Sequence, residues 1–162
     1  MGLEITFWIL AVVGVGAALS VVLLRNVFRA ALCLILCFLA VAGTFITLSA
    51  DFLAAVQVLV YVGAISILII LGIMLTREVQ RGSPGNRLRI PAFIVAVFFL
   101  GAVAYAMMNT PWQIVATLPQ EPTTSALGIR LFGTDGFILP LEIAPILLLA
   151  AILGAIAIVR EK

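Results

Sequence analysis

Six residues of this 162-residue chain set a polar or conformationally permissive group in apolar surroundings: Asp51, Gln57, Tyr61, Gly63, Ser66 and Glu142. Five of them fall in one apolar stretch, SADFLAAVQVLVYVGAISILIILGIMLT, residues 49–76. A carboxylate, a carboxamide, a phenol and a hydroxyl strung along such a run suit the hydration or gating of a proton path, because each accepts or donates hydrogen bonds. Metal chemistry is poorly served. The chain has no His, and its only cysteines, Cys33 and Cys37, stand four apart in a different apolar run. Two thiols on one helical face can touch each other or a partner, but they read most simply as small apolar residues in a packed helix.

Spacing sharpens the reading of the 49–76 stretch. Gln57 and Tyr61 are four residues apart and share a helical face. Ser66 does not join them on a regular helix, since five residues at about 100° each leave it roughly 140° from Tyr61. One residue inserted as a π-bulge cuts that offset to about 40°, and Gly63 is where such a bulge costs least. The helix is then one with two forms, bulged and regular, whose interchange rotates its inner half. The plainer reading is an unbroken helix in which Gly63 permits close packing. Asp51, at the outer start of the run, either caps the helix N-terminus or borders a proton path. Glu142, flanked by Pro140 and Pro145, either anchors its own helix near the interface or serves as a functional polar group. Pro145 lacks the amide that would bond the Leu141 carbonyl, so a partner or water is expected beside that carboxylate.

These residues are positioned by membrane spans. Hydrophobic residues make up 65% of the chain, charged residues 10%, and the mean hydropathy is +1.34, against roughly 45–50% apolar and ~25% charged in soluble domains. The chain is therefore an all-α, polytopic membrane protein, one membrane domain over residues 1–162 with spans at about 3–24, 30–48, 52–76, 90–108 and 137–159. No room remains for a soluble catalytic domain, so any chemistry lies within the membrane or in partners. A net charge of +2 spread over short loops excludes nucleic-acid binding. The first run has no basic leader or cleavage site and reads as a retained span. Gly16 with Ser20, and Ala40 with Thr44, form small-residue pairs suited to close helix contact. Residues 109–136, with Trp112 at their start, read as a partly ordered interfacial loop on the periplasmic side. Of nine Lys and Arg, eight fall on one side: Arg25, Arg29, Arg77, Arg81, Arg87, Arg89, Arg160 and Lys162, with Arg130 opposite. Positive-inside bias then places the N-terminus outside and the C-terminus in the cytoplasm.

The run from Asp51 to Gln57, with Tyr61-Val62-Gly63-Ala64-Ile65 and Ile73-Met74-Leu75, resembles the chain J (subunit 6) family of proton-pumping NADH-quinone oxidoreductase. Leu24-Arg25-Asn26 with Ala30-Ala31-Leu32, and later Leu127-Gly128, Leu131-Phe132, Leu139-Pro140-Leu141-Glu142 and Leu147-Leu148-Leu149, are similar to the same family. The resemblance is weakest from Arg77 to Glu121. It implies a membrane-arm subunit that itself binds no cofactor, with NADH, FMN, iron–sulfur clusters and quinone in partner subunits. It further implies a π-bulge near Tyr61 and Gly63 whose straightening is linked to a water chain between the quinone-side channel and antiporter-like subunits. Carried over, Tyr61, Gly63 and Ser66 form the gate, with Gln57 on the same helix and Asp51 and Glu142 as polar neighbours. The implied partners are other membrane-arm and quinone-site subunits and the lipid bilayer, in a bacterial inner membrane. The same scaffold also fits the equivalent small subunit of a membrane-bound hydrogenase or cation antiporter complex. A stand-alone transporter or assembly factor is the remaining alternative, though no inverted repeat relates the first and last spans.

Overall fold

Long apolar runs without internal partners for water can cross a bilayer only as helices, which satisfy their backbone within the segment. The computed structural model describes residues 2–76, 88–112, 123–133 and 136–159, and among them every regular element is helical. Helix α1 is Gly2–Leu23, α2 is Val27–Thr47 and α3 is Asp51–Leu75. Then come α4, Arg89–Asn109, a short α5, Thr123–Phe132, and α6, Ile138–Val159. Five of these, all but α5, are long and apolar enough to span a membrane. The helix α5 occupies part of the stretch read from sequence as loop, and residues 113–122 of that stretch lie outside the described residues. The basic segment 77–87, the C-terminal residues 160–162 and the side chain of Arg89 also lie outside them.

The core is the α1–α2–α3 bundle, with α2 in contact with both neighbours. The link between α1 and α2 is short because Asn26 starts α2 at once, its side-chain oxygen accepting from the Arg29 amide at 3.2 Å. Small side chains then let the two helices approach closely. Ala17 on α1 and Ala31, Ala40 and Ala42 on α2 are all buried. A Cβ added at Gly14 would touch the Ala40 methyl at 3.4 Å, and one at Gly43 would come within 2.8 Å of Leu10. The Gly16–Ser20 pair does not make this contact. Gly16 is exposed with nothing near it, because the face turned toward α2 passes through Leu10, Gly14 and Ala17 instead.

A tight turn joins α2 to α3, with Ser49 in the left-handed region at φ 57° and the Ala50 amide bonded to the Phe45 carbonyl at 2.9 Å. The Thr123 hydroxyl of α5 lies 3.4 Å from the Ser49 carbonyl, and α5 packs against both the start of α3 and α6. By contrast α4 makes no extensive contact with any described element. None of the most apolar window of α4 or of α6 is buried.

A methyl at Gly43 fits only if the δ-methyls of Leu10, the far end of a flexible side chain, give way. Gly43→Ala is expected to lower stability by about 1 kcal/mol, the low end for overpacking, and Leu10→Ala in the same chain to recover part of that loss. Melting temperatures of the detergent-solubilised single and double variants measure it; strictly additive losses would mean that the two positions do not share this contact.

Candidate functional site: the wide turn of α3

The third span is not uniformly wound. Asp51–Val56 and Ser66–Leu75 are α-helical, and the nine residues Gln57–Ile65 between them are π-helical, with bonds to the fifth residue back. The irregularity expected from the Tyr61–Ser66 offset is present, but it is spread over two turns and not confined to Gly63. A Cβ at Gly63 would sit 3.4 Å from the Val58 carbonyl oxygen, an ordinary contact, so the wide winding accommodates one methyl there.

Two polar side chains are buried among the described residues, and they bracket the π segment: Gln57 at 8% exposure and Ser66 at 2%. Nine regular residues at about 100° each would set them on opposite faces, roughly 180° apart. One residue's worth of unwinding brings them within about 80°, so that both lie toward α2. The burial pattern follows this register: Ala54 and Gln57, then Ser66, Ile69, Ile70 and Ile73, are covered or partly covered, whereas Ile67, Leu68, Leu71 and Met74 are exposed. All three segments of α3 pack against α2. The π segment thus keeps one seam continuous along the helix.

Within the seam the polar groups differ. Ser66 is satisfied by its own helix: its amide and its hydroxyl both reach the Tyr61 carbonyl, the latter at 2.7 Å. The Gln57 carboxamide makes no hydrogen bond among the described residues, and at about 9 Å from the start of the span it calls for water. Tyr61 is 41% exposed, and its ring stands edge-on to Phe38 of α2 with centroids 5.4 Å apart and planes at 68°. Phe38 was not legible in the sequence as a site residue, since one more aromatic in an apolar run carries no signal. The contact exists only because α2 folds back along α3.

The two carboxylates lie apart from this seam. Asp51 is exposed and is the first residue of α3, not its cap; the capping position is Ala50, which makes no side-chain bond. The turn at Ser49 uses up the preceding residues, and what remains to Asp51 is the favourable field of the helix N-terminus. Glu142 is exposed on α6, which continues through Pro145 and meets the bundle chiefly through α5. The fold therefore brings Gln57, Tyr61, Gly63 and Ser66 together and leaves Glu142 at a distance. Cys33 and Cys37 are unpaired and partly covered. Among the described residues no three of His, Cys, Asp and Glu converge as metal ligands.

An edge-on aromatic pair contributes about 0.5–1.5 kcal/mol beyond its buried area. A double-mutant cycle of Phe38→Leu and Tyr61→Leu, read by thermal unfolding, is expected to return a coupling in that range, and a coupling near zero would remove Phe38 from the site.

Residues 17–158 match the family described as NADH-ubiquinone/plastoquinone oxidoreductase chain 6. The chain is 43% identical to NAD(P)H-quinone oxidoreductase chain 6 of a Synechocystis species, an alignment covering 97% of this chain and 80% of the relative. It is 40% identical to F(420)H(2) dehydrogenase subunit J of Methanosarcina mazei, over 96% of this chain and 90% of the relative. The corresponding cyanobacterial chain 6 of Leptolyngbya boryana is 40% identical over 98% and 80%.

Proposed function

Because the chain belongs to the NADH-ubiquinone/plastoquinone oxidoreductase chain 6 family, we propose that it is a membrane subunit of a proton-pumping quinone oxidoreductase in which α3 couples quinone reduction to proton translocation. The observation that carries the coupling role is the π segment, bracketed by the two buried polar side chains Gln57 and Ser66. A π-helical segment inside a span is rare, and such segments favour functional sites. It also offers a second state of the same sequence, regular winding, reached without breaking the span.

The chain's own residues then act as follows. In the wide form Ser66 is closed on the Tyr61 carbonyl and the α2–α3 seam holds apolar groups and Gln57. Return to regular winding turns the inner half of α3 by about 100° and re-presents its polar groups, with Tyr61 and Gln57 binding the water that relays protons. Gly63, carrying no side chain, lets the backbone change its winding at least cost. Asp51 and Glu142, at the ends of their own spans, stand apart from this path. This subunit performs no redox step: NADH, FMN, iron–sulfur clusters and quinone sit in partner subunits, and α4 and α6, bare along their length, meet other membrane-arm subunits and lipid. The relatives named for F(420)H(2) and for NAD(P)H resemble this chain almost equally, at 40% and 43%, which suits a subunit that works downstream of the electron donor. The location is a bacterial inner membrane, with the N-terminus outside and the C-terminus in the cytoplasm.

Gly63→Val adds a Cβ that would lie 3.4 Å from the Val58 carbonyl oxygen and two methyl groups beyond it. In the assembled membrane complex it is expected to lower proton pumping several-fold more than quinone reduction. Normal pumping and normal quinone reduction in a normally assembled variant would end the gating role. Orientation is tested separately, in a background with Cys33 and Cys37 replaced by Ala. A cysteine at position 130 should react with an impermeant maleimide in intact cells and one at position 26 only after lysis; the reverse pattern overturns the topology.

A further inference from the structure

Ser66 differs from every other back-bonding hydroxyl in the spans. Thr6, Ser20, Thr44, Thr76 and Thr110 each donate to a carbonyl four residues back, at 2.6–3.0 Å, and Thr47 to one three residues back at 2.8 Å. Ser66 donates five residues back, to Tyr61. Its bond therefore belongs to the wide winding alone. It is also the most buried polar residue described, at 2% exposure, while Ile67 and Leu68 beside it are 57% and 67% exposed.

Regular winding would change which side chains occupy the seam. With the outer half of α3 held against α2 through Ala54 and Gln57, removal of the wide turn advances the inner half by about 100°. Ser66 leaves the seam for the opposite face. Leu68 rotates into it beside Ile65, which is partly covered in the wide form as well. The wide form thus sets a small, self-satisfied side chain against α2 at this level, and the regular form sets a large aliphatic one there.

We infer that Ser66 is the positioning residue of the switch: its small side chain lets the α2–α3 seam close on the wide form, where its hydroxyl is bonded to the Tyr61 carbonyl, and regular winding brings Leu68 into the seam in its place and shifts its hydroxyl to a carbonyl four residues back, as in the other span hydroxyls. The inference rests on the two-state reading of α3 given above. It assigns opposite signs to neighbouring positions, which a general loss of packing does not do. A larger side chain at 66 is overpacked in the wide form and relieved in the regular one. A larger side chain at 68 is unhindered in the wide form and overpacked in the regular one.

The test is electron cryo-microscopy of the assembled complex during turnover, with particles sorted by the winding of α3. Ser66→Leu is expected to raise the ratio of regular to wide form by about five- to a hundredfold, the equivalent of one overpacked core position. Leu68→Phe is expected to lower that ratio. If Ser66→Leu does not assemble, Leu68→Phe carries the test alone, with its opposite sign. Regular winding seen in the unmodified complex, but with a share that Ser66→Leu does not raise or that Leu68→Phe raises, overturns the role of Ser66 and leaves the switch standing. Wide winding in every sample, turnover and variants included, overturns the switch and the role of Ser66 together.

Discussion

The seam between α2 and α3 has to stay closed along two lengths of helix whose side chains are out of register by one residue. In a soluble protein a break in the helix would solve the problem, with water taking up the freed backbone groups. In a bilayer that exit is closed, since an unpaired amide or carbonyl costs several kcal/mol. A π segment meets both demands at once. It keeps backbone groups bonded within the helix while absorbing the extra residue, as the Ser66 amide on the Tyr61 carbonyl illustrates. The position of Gln57, the pairing of Tyr61 with Phe38 and the burial of Ser66 all follow from that one adjustment.

The outer architecture depends on a different balance. Where α1 and α2 meet, Gly14, Ala17, Ala40, Ala42 and Gly43 bring backbones close, and dispersion between tightly fitted surfaces replaces a hydrophobic effect that lipid does not supply. The helices α4 and α6 have no such fit inside this chain. Their sides are large aliphatic and aromatic groups, such as Phe98, Phe99, Ile146 and Leu148, each more than half exposed. A small rigid bundle with two outlying spans is the shape of a part that completes itself against neighbours.

Much of this was legible in the sequence, for identifiable reasons. The five spans follow from run length and the absence of charge, which the bilayer makes nearly sufficient. The irregular winding of α3 was open to arithmetic, through the offset of Tyr61 and Ser66, only as an alternative to a regular helix, and the family resemblance at Tyr61 and Gly63 is what favoured it. Its extent over Gln57–Ile65 was not accessible, since bonding to the fourth or fifth residue back is decided by packing against α2 and not by any one side chain. The helix α5 escaped notice because ten residues between Thr- and Pro-rich flanks give too short a period to read. Asp51 was misplaced by a single position for a similar reason: Ser49, without being glycine, takes up the left-handed conformation and so sets where α3 begins.

The wide turn has a consequence in length as well as in angle. A helix that holds one residue in a bulge is shorter by about one residue's rise, ~1.5 Å, than the same 25 residues wound regularly. The outer end of α3 is fixed by the Ser49 turn and by α5. On the proposed switch, a return to regular winding pushes the Thr76 end along the membrane normal, so that α3 acts as a short piston on whatever that end meets.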